Sequence, residues 1–188
     1  MTPLLLTGPA AEPVTLADIK GYLRLDHDDE DRLITSLMTA ARLMVEAESG
    51  RCLVAQTWRL VLDRWPAAGP IRLPLSPVIR LDGARVFDAA GAATAVPATH
   101  FHVDTLAEPP RLMPAAALPA PGRPFSGIEI DVTAGYGEAA ADVPMPLRQA
   151  VRAIVARWYE HRGDGTGEVP AIPPEALALI APYRRGRL

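Results

Sequence analysis

The most suggestive chemical residues in this chain are His100, His102 and Asp104. In an extended strand all three would project from one face, at a spacing that could hold a divalent metal and activate a water for hydrolysis. No nearby glutamate or further histidine supplies an obvious general base, and most His-x-His pairs on solvent-facing strands bind nothing. The run Asp26-His27-Asp28-Asp29-Glu30-Asp31 invites a calcium reading. An EF-hand loop needs glycine at position 6 and glutamate at position 12; counted from Asp26 these are Asp31 and Leu37, so the reading fails. Cys52, the sole cysteine, suits burial as a small apolar group. Gly163-Asp164-Gly165-Thr166-Gly167 is rich in glycine but follows a helix pattern, so it reads as a connector. There is no nucleophile elbow, phosphate-binding loop or dinucleotide fingerprint. The residues point away from an enzyme and toward a binding or structural protein, with no cofactor expected.

Composition narrows the field further. The chain has 188 residues, 49% of them hydrophobic and 22% charged, which is ordinary for a globular protein. Lys and Arg number 19 against 22 Asp and Glu, for a formal charge of −3. That balance argues against nucleic-acid binding as the main task, because phosphate affinity rests on excess cations. A helix-turn-helix made of the first two helices is opposed by the acidic linker between them, which would lie close to the phosphates. Lys20 is the only lysine; all other cations are arginine, suited to planar bidentate contacts. One cysteine excludes an intramolecular disulfide. No apolar run approaches the roughly 20 residues needed to span a bilayer, and the first seven residues lack the regions of a signal peptide.

These residues need elements to position them. Thr15 and Asp18 predict a capping box opening a first helix with Leu16, Ile19 and Leu23 on one side. The acidic run suits the N-terminus of a second helix, whose stripe is Leu33, Ile34, Leu37, Met38, Ala41, Met44 and Val45 and whose stop is Gly50. Strands are expected around residues 58–62, 71–75, 78–81, 84–87, 100–103 and 128–133, with turns at Asp82-Gly83 and Ala90-Gly91. Residues 108–124, dense in proline, read as an exposed irregular loop. Pro146 opens a third helix with Leu147, Val151, Ile154, Val155 and Trp158 buried, leaving Tyr159 outside. A short fourth helix spans 174–180. The expectation is an α+β fold: a helical core from residues 1–56 and 144–188, with a β-rich insertion at 57–143. Beyond the last helix, Tyr183-Arg184-Arg185-Gly186-Arg187-Leu188 reads either as a solvated terminus or as an arm that docks on acidic or carbonyl acceptors of a neighbour.

Several segments occur together in order. They are Pro13-Val14-Thr15-Leu16-Ala17-Asp18-Ile19-Lys20-Gly21-Tyr22-Leu23-Arg24-Leu25-Asp26, then Gln56-Thr57-Trp58, then Leu73-Pro74-Leu75-Ser76-Pro77-Val78. Thr133-Ala134-Gly135-Tyr136-Gly137, Leu147-Arg148-Gln149-Ala150, Trp158-Tyr159-Glu160-His161-Arg162 and Pro182-Tyr183-Arg184 follow. Nearly the whole chain thus resembles tailed-phage head–tail connector (adaptor) proteins. His161 stands where many relatives have Asn, and 108–124 is variable. The resemblance implies a non-enzymatic ring, commonly dodecameric, beneath the portal of a phage or gene transfer agent. Double-stranded DNA would pass through its channel, and a tail-side stopper or tail terminator protein would bind it. It implies a place in the neck of the particle, assembled in the bacterial cytoplasm, with no membrane and no metal. Tyr183, Arg184, Arg185 and Arg187 are then expected to meet the portal protein, and Asp28, Asp29, Asp31, Tyr159 and Arg162 a neighbouring subunit. An acidic channel lining would repel phosphates and let DNA slide. The runner-up is a metal-dependent hydrolase using His100, His102 and Asp104.

Overall fold

The computed structural model describes residues 1–162 and 172–184. Among these the fold is α+β, with four α-helices and two antiparallel sheets. The chain divides into two compact units, one built from residues 1–10 and 55–136, the other from 11–54 and 137–188.

The first unit contains the sheets. Its strands are β1 (Thr2–Thr7), β2 (Gln56–Leu62), β3 (Ile71–Arg72), β4 (Val78–Phe87), β5 (Ala93–Val96), β6 (Phe101–Asp104), β7 (Arg111–Pro114) and β8 (Ile128–Ala134). A five-stranded sheet runs β1-β2-β8-β4-β5, and a three-stranded one β3-β7-β6. Period-2 alternation explains the larger sheet. Leu60 and Leu62 on β2, Ile128, Ile130 and Val132 on β8, and Ala84 and Val86 on β4 are all buried. Register places Leu60 opposite Ile130 and Ala84 opposite Ile130 on the other side, so one apolar face is continuous across three strands. The smaller sheet buries Ile71, Phe101 and Leu112. Trp65 lies 6.0 Å from the Phe101 ring and donates from its indole to the Pro119 carbonyl at 2.8 Å.

Three expectations are corrected here. Residues 1–7 are expected with the helices, but Thr2–Thr7 pairs along β2 as the edge strand of the sheet, a place that tolerates Pro3, which has no N–H to donate. Asp82-Gly83 makes no turn. Residues 78–87 form one strand with register shifts between residues 78 and 80 and between 81 and 83, where Gly83 takes φ +154 and Asp82 accepts from the Thr133 hydroxyl at 2.8 Å. The proline-rich stretch 108–124 is not wholly irregular either. Leu112 is fully buried at the centre of β7, and the prolines sit outside it or at its end.

The second unit contains α1 (Leu16–Leu23), α2 (Asp31–Ser49), α3 (Met145–Glu160) and α4 (Pro174–Ile180). The capping box forms: Thr15 Oγ1 accepts from the Asp18 N–H at 3.0 Å, and Asp18 accepts from the Thr15 N–H at 3.2 Å. These bonds hold the Asp18 carboxyl below its ordinary value. Gly50 ends α2 in the left-handed region at φ 69. Ile34, Met38, Ala41 and Val45 of α2 and Leu147, Val151, Ile154 and Val155 of α3 are buried, as is Cys52.

Among the described residues, Arg42 is the one guanidinium drawn into this core, at 6% exposure. Its Nε donates to Glu12 and its NH1 to Glu46, both at 2.9 Å, while Thr39 also donates to Glu12. Glu46 in turn accepts from the Leu53 N–H at 2.9 Å. The chain entering α1 and the chain leaving α2 are therefore tied to one side chain.

Arg42→Ala strands two carboxylates in that environment, and is expected to lower the unfolding free energy in urea by about 3 kcal/mol. Leu112→Ala is expected to cost about 3 kcal/mol by the same measurement; a surface loop there would lose almost nothing. Thr15→Ala should cost about 1 kcal/mol. Because the folded-state value of Asp18 is depressed, its contribution is present above the ordinary carboxylate range and lost as pH falls through the folded value. Acid titration of the Asp18→Asn variant should therefore lack that part of the stability loss.

Candidate functional site

The His-x-His-x-Asp set does not assemble. His100 lies in a 3-10 turn (Ala98–His100) ahead of β6, so strand alternation never aligns it with the other two. His102 faces Met113 in the register and is exposed. Asp104 is committed elsewhere: Oδ2 accepts from Arg111 Nε at 2.9 Å, and Oδ1 accepts from the Leu106 and Ala107 N–H groups. The Arg111 bond is the main reason its carboxyl lies below the usual range. Among the described residues, no group of three or more His, Cys, Asp and Glu could hold a metal ion.

The acidic run serves instead to join helices. Lys20 Nζ on α1 pairs with Asp28 and with Asp31 at 3.0 Å. Those partners raise the lysine ammonium above its ordinary value, and Lys20 lowers Asp28. Glu30, which sequence reasoning passed over, is the residue reached from α3. The Tyr159 hydroxyl donates to its Oε2, and Arg162 NH2 lies 3.0 Å from its Oε1. Arg162 also donates to the Tyr159 carbonyl at 2.7 Å and stacks 4.1 Å from the Tyr159 ring centroid. The Glu30 hydrogen bond raises the Tyr159 phenol. Of the residues expected at a subunit interface, Asp28, Asp31, Tyr159 and Arg162 are thus engaged within the chain. Asp29 is free to meet solvent, its side chain 94% exposed with His27 Nδ1 3.9 Å away.

The roles of Trp158 and Tyr159 are the reverse of the sequence expectation. Tyr159 is buried and Trp158 half-buried. Position 159 follows Val151 and Val155 at intervals of four, and its hydroxyl has an acceptor waiting, so burial leaves no polar group unpaired. His161 Nδ1 lies 2.9 Å from the Arg157 carbonyl and closes the helix end.

Toward the C-terminus, the Tyr183 carbonyl accepts from Arg51 Nε at 2.9 Å, and Arg184 pairs with Glu48. Arg185 and Arg187 lie outside the described residues, as do Gly163, Asp164, Gly165, Thr166 and Gly167.

In the sheet unit, the solvent face of β2-β8-β4 carries a compact ion cluster. Arg59 grips Asp131 with two parallel bonds of 2.8 and 2.9 Å and lies 3.3 Å from Glu129. Arg85 reaches the same carboxylates from β4 at 3.0 and 3.2 Å. The alternation of Glu129 and Asp131 with buried residues was the available signal. The sheet unit contains seven arginines and seven carboxylates, so the formal charge of −3 belongs to the helical unit.

Several large apolar side chains are exposed as well. Leu4, Leu5 and Leu6 on β1 are each near half exposure, Leu43 on α2 is 54% exposed, and Leu106 and Phe125 are exposed at loop positions. This is the chemistry of protein contact.

No family model and no curated protein matches the sequence. Solved structures do. A chain in the neck of an empty gene transfer agent (GTA) particle, computed with C6 symmetry, is 31% identical, with a TM-score of 0.84 over 100% of this chain and 97% of that one. A chain in the neck of a native GTA particle, computed with C12 symmetry, is 30% identical with a TM-score of 0.79 at the same coverage. A chain of the virion of the native particle is 29% identical with a TM-score of 0.84, again over 100% and 97%. Identity at this level along nearly the full length of both chains means that the chain belongs to the family of gene transfer agent neck proteins found in these particles.

Proposed function

We propose that this chain is a head–tail connector (adaptor): a non-catalytic protein that forms a ring beneath the portal of a gene transfer agent or tailed phage. In that place it extends the DNA channel and gives the tail-side stopper or tail terminator protein a surface to bind. The observation that carries the reading is the full-length likeness to chains of GTA necks, 31% and 30% identical, in structures computed with sixfold and twelvefold symmetry. A dodecamer satisfies both symmetries. The ring would be assembled in the bacterial cytoplasm and remain in the neck of the particle.

The electrostatics suit a conduit. A formal charge of −3 per copy, concentrated in one unit, multiplies around a ring and disfavours adhesion of phosphate backbones, so duplex DNA passes without sequence-specific binding. The portal contact is assigned to the C-terminal arm: Tyr183, Arg184, Arg185 and Arg187. The bonds from Arg51 to Tyr183 and from Arg184 to Glu48 anchor the base of that arm, leaving the residues after it to reach the portal protein.

Removing the gene should leave DNA-filled heads without tails by electron microscopy; normally tailed particles would contradict the connector role. Truncation after Arg184 should preserve the thermal midpoint of the protein, because both anchoring bonds remain. Co-purification with the portal should fall at least tenfold, and unchanged recovery would remove the arm from the interface.

A further inference from the structure

The ring proposed above requires two different surfaces on each copy, one for each neighbour, because a head-to-tail contact closes by rotation and not by a twofold axis. The helical unit contains such a pair. α2 buries Ile34, Met38, Ala41 and Val45 on one side. On the opposite side Leu33, Ser36, Ala40, Leu43 and Ala47 recur at alternating steps of three and four residues, and every one of them is exposed. Leu33 is 38% and Leu43 54% exposed. From residue 33 to 45 the helix has a single charge, Arg42, and that one is buried. A helix face meant for water carries charges there; this one has the spacing and the composition of a helix–helix seam.

The second surface is a groove of about 480 Å³. Tyr22 of α1, Ala153, Ala156 and Arg157 of α3 and Leu179 of α4 line it. Ala153 and Ala156 project from the side of α3 away from Val151 and Val155, so the groove opens to solvent. Two alanines at a spacing of three residues let another helix approach closely, while Tyr22, 48% exposed, offers an aromatic wall. Glu160 and Glu175 on the rim have no ion-pair partner among the described residues, and neither does Arg32 at the start of the α2 stripe.

We infer that the outer stripe of α2 on one copy seats in the α1–α3–α4 groove of the next copy, with Leu43 against Ala153 and Ala156 and with Arg32 toward the unpaired rim carboxylates. The occupant is a second copy of this chain because both halves of the contact are present on each copy. They are also unlike each other, as a closed ring demands. The inference rests on the ring reading.

The test is disulfide trapping in purified particles containing the double variant L43C/A156C; native Cys52 is buried and stays silent. Non-reducing gels should give a ladder of oligomers extending to the full ring, while L43C and A156C alone give none. In parallel, L43E, an exposed substitution, should keep the thermal midpoint of the isolated protein and reduce incorporation into necks at least tenfold. A ring visible in the necks without a ladder overturns the docking and leaves the connector reading intact. Efficient dimers from L43C alone also overturn it, since they mean α2 meets α2. Necks that lack the chain altogether overturn both.

Discussion

A buried guanidinium organises the helical unit. Arg42 sits on the core side of α2, and a charge in that position is tolerable only with close partners, because burial removes the water that would otherwise solvate it. Glu12 comes from the segment before α1 and Glu46 from the next turn of α2, and Glu46 holds the backbone where the chain leaves the helix. The geometry of entry and exit is thus set by one donor fork. Apolar packing of α2 on α3 supplies bulk stabilisation, but it is non-directional and would accept other paths for the flanking segments. The fork accepts one.

Comparable logic holds the ends of the helices. Lys20 with Asp28 and Asp31, and Glu30 with Tyr159 and Arg162, turn a run of carboxylates that looks like a free acidic patch into clasps between elements. The same happens in the sheet unit, where two arginines bracket Glu129 and Asp131. In both units, ion pairs among the described residues tie elements together. Outside those pairs the helical unit presents an exposed stripe of small and apolar residues on α2 and a groove lined by residues of α1, α3 and α4.

The carboxyls with displaced pKa values follow the same pattern. Perturbed carboxyls such as Asp18 and Asp104 are lowered by capping and ion-pairing in exposed places, not raised by burial in a cleft where a proton could be exchanged with a substrate. Their shifts report local structure.

Local signals in the chain were sufficient for much of this. Thr15 and Asp18 with Gly50 delimit two helices, because capping chemistry acts over three or four residues and leaves its mark there. Period-2 alternation in 58–62 and 128–133 identifies two strands for the same reason. Asp82-Gly83 carried a turn signal that tertiary pairing converted into a bulge, and Leu112 was hidden among prolines because one buried side chain makes no pattern. Trp158 and Tyr159 are adjacent and both fit the apolar side of the helix by spacing, and Glu30, 129 residues away, gives the Tyr159 hydroxyl the acceptor that its burial needs. The metal reading of His100, His102 and Asp104 assumed an unbroken strand, and a 3-10 turn at 98–100 dissolved it. Propensity and periodicity are properties of a few neighbouring residues, so the sequence alone determined the four helices and the strands that alternate clearly, whereas β1, β5 and β7 became strands only through the partners they pair with. Partnership between distant charges depends on the path of the whole chain, so only the folded structure decided which carboxylates are clasps and which faces remain open to another copy.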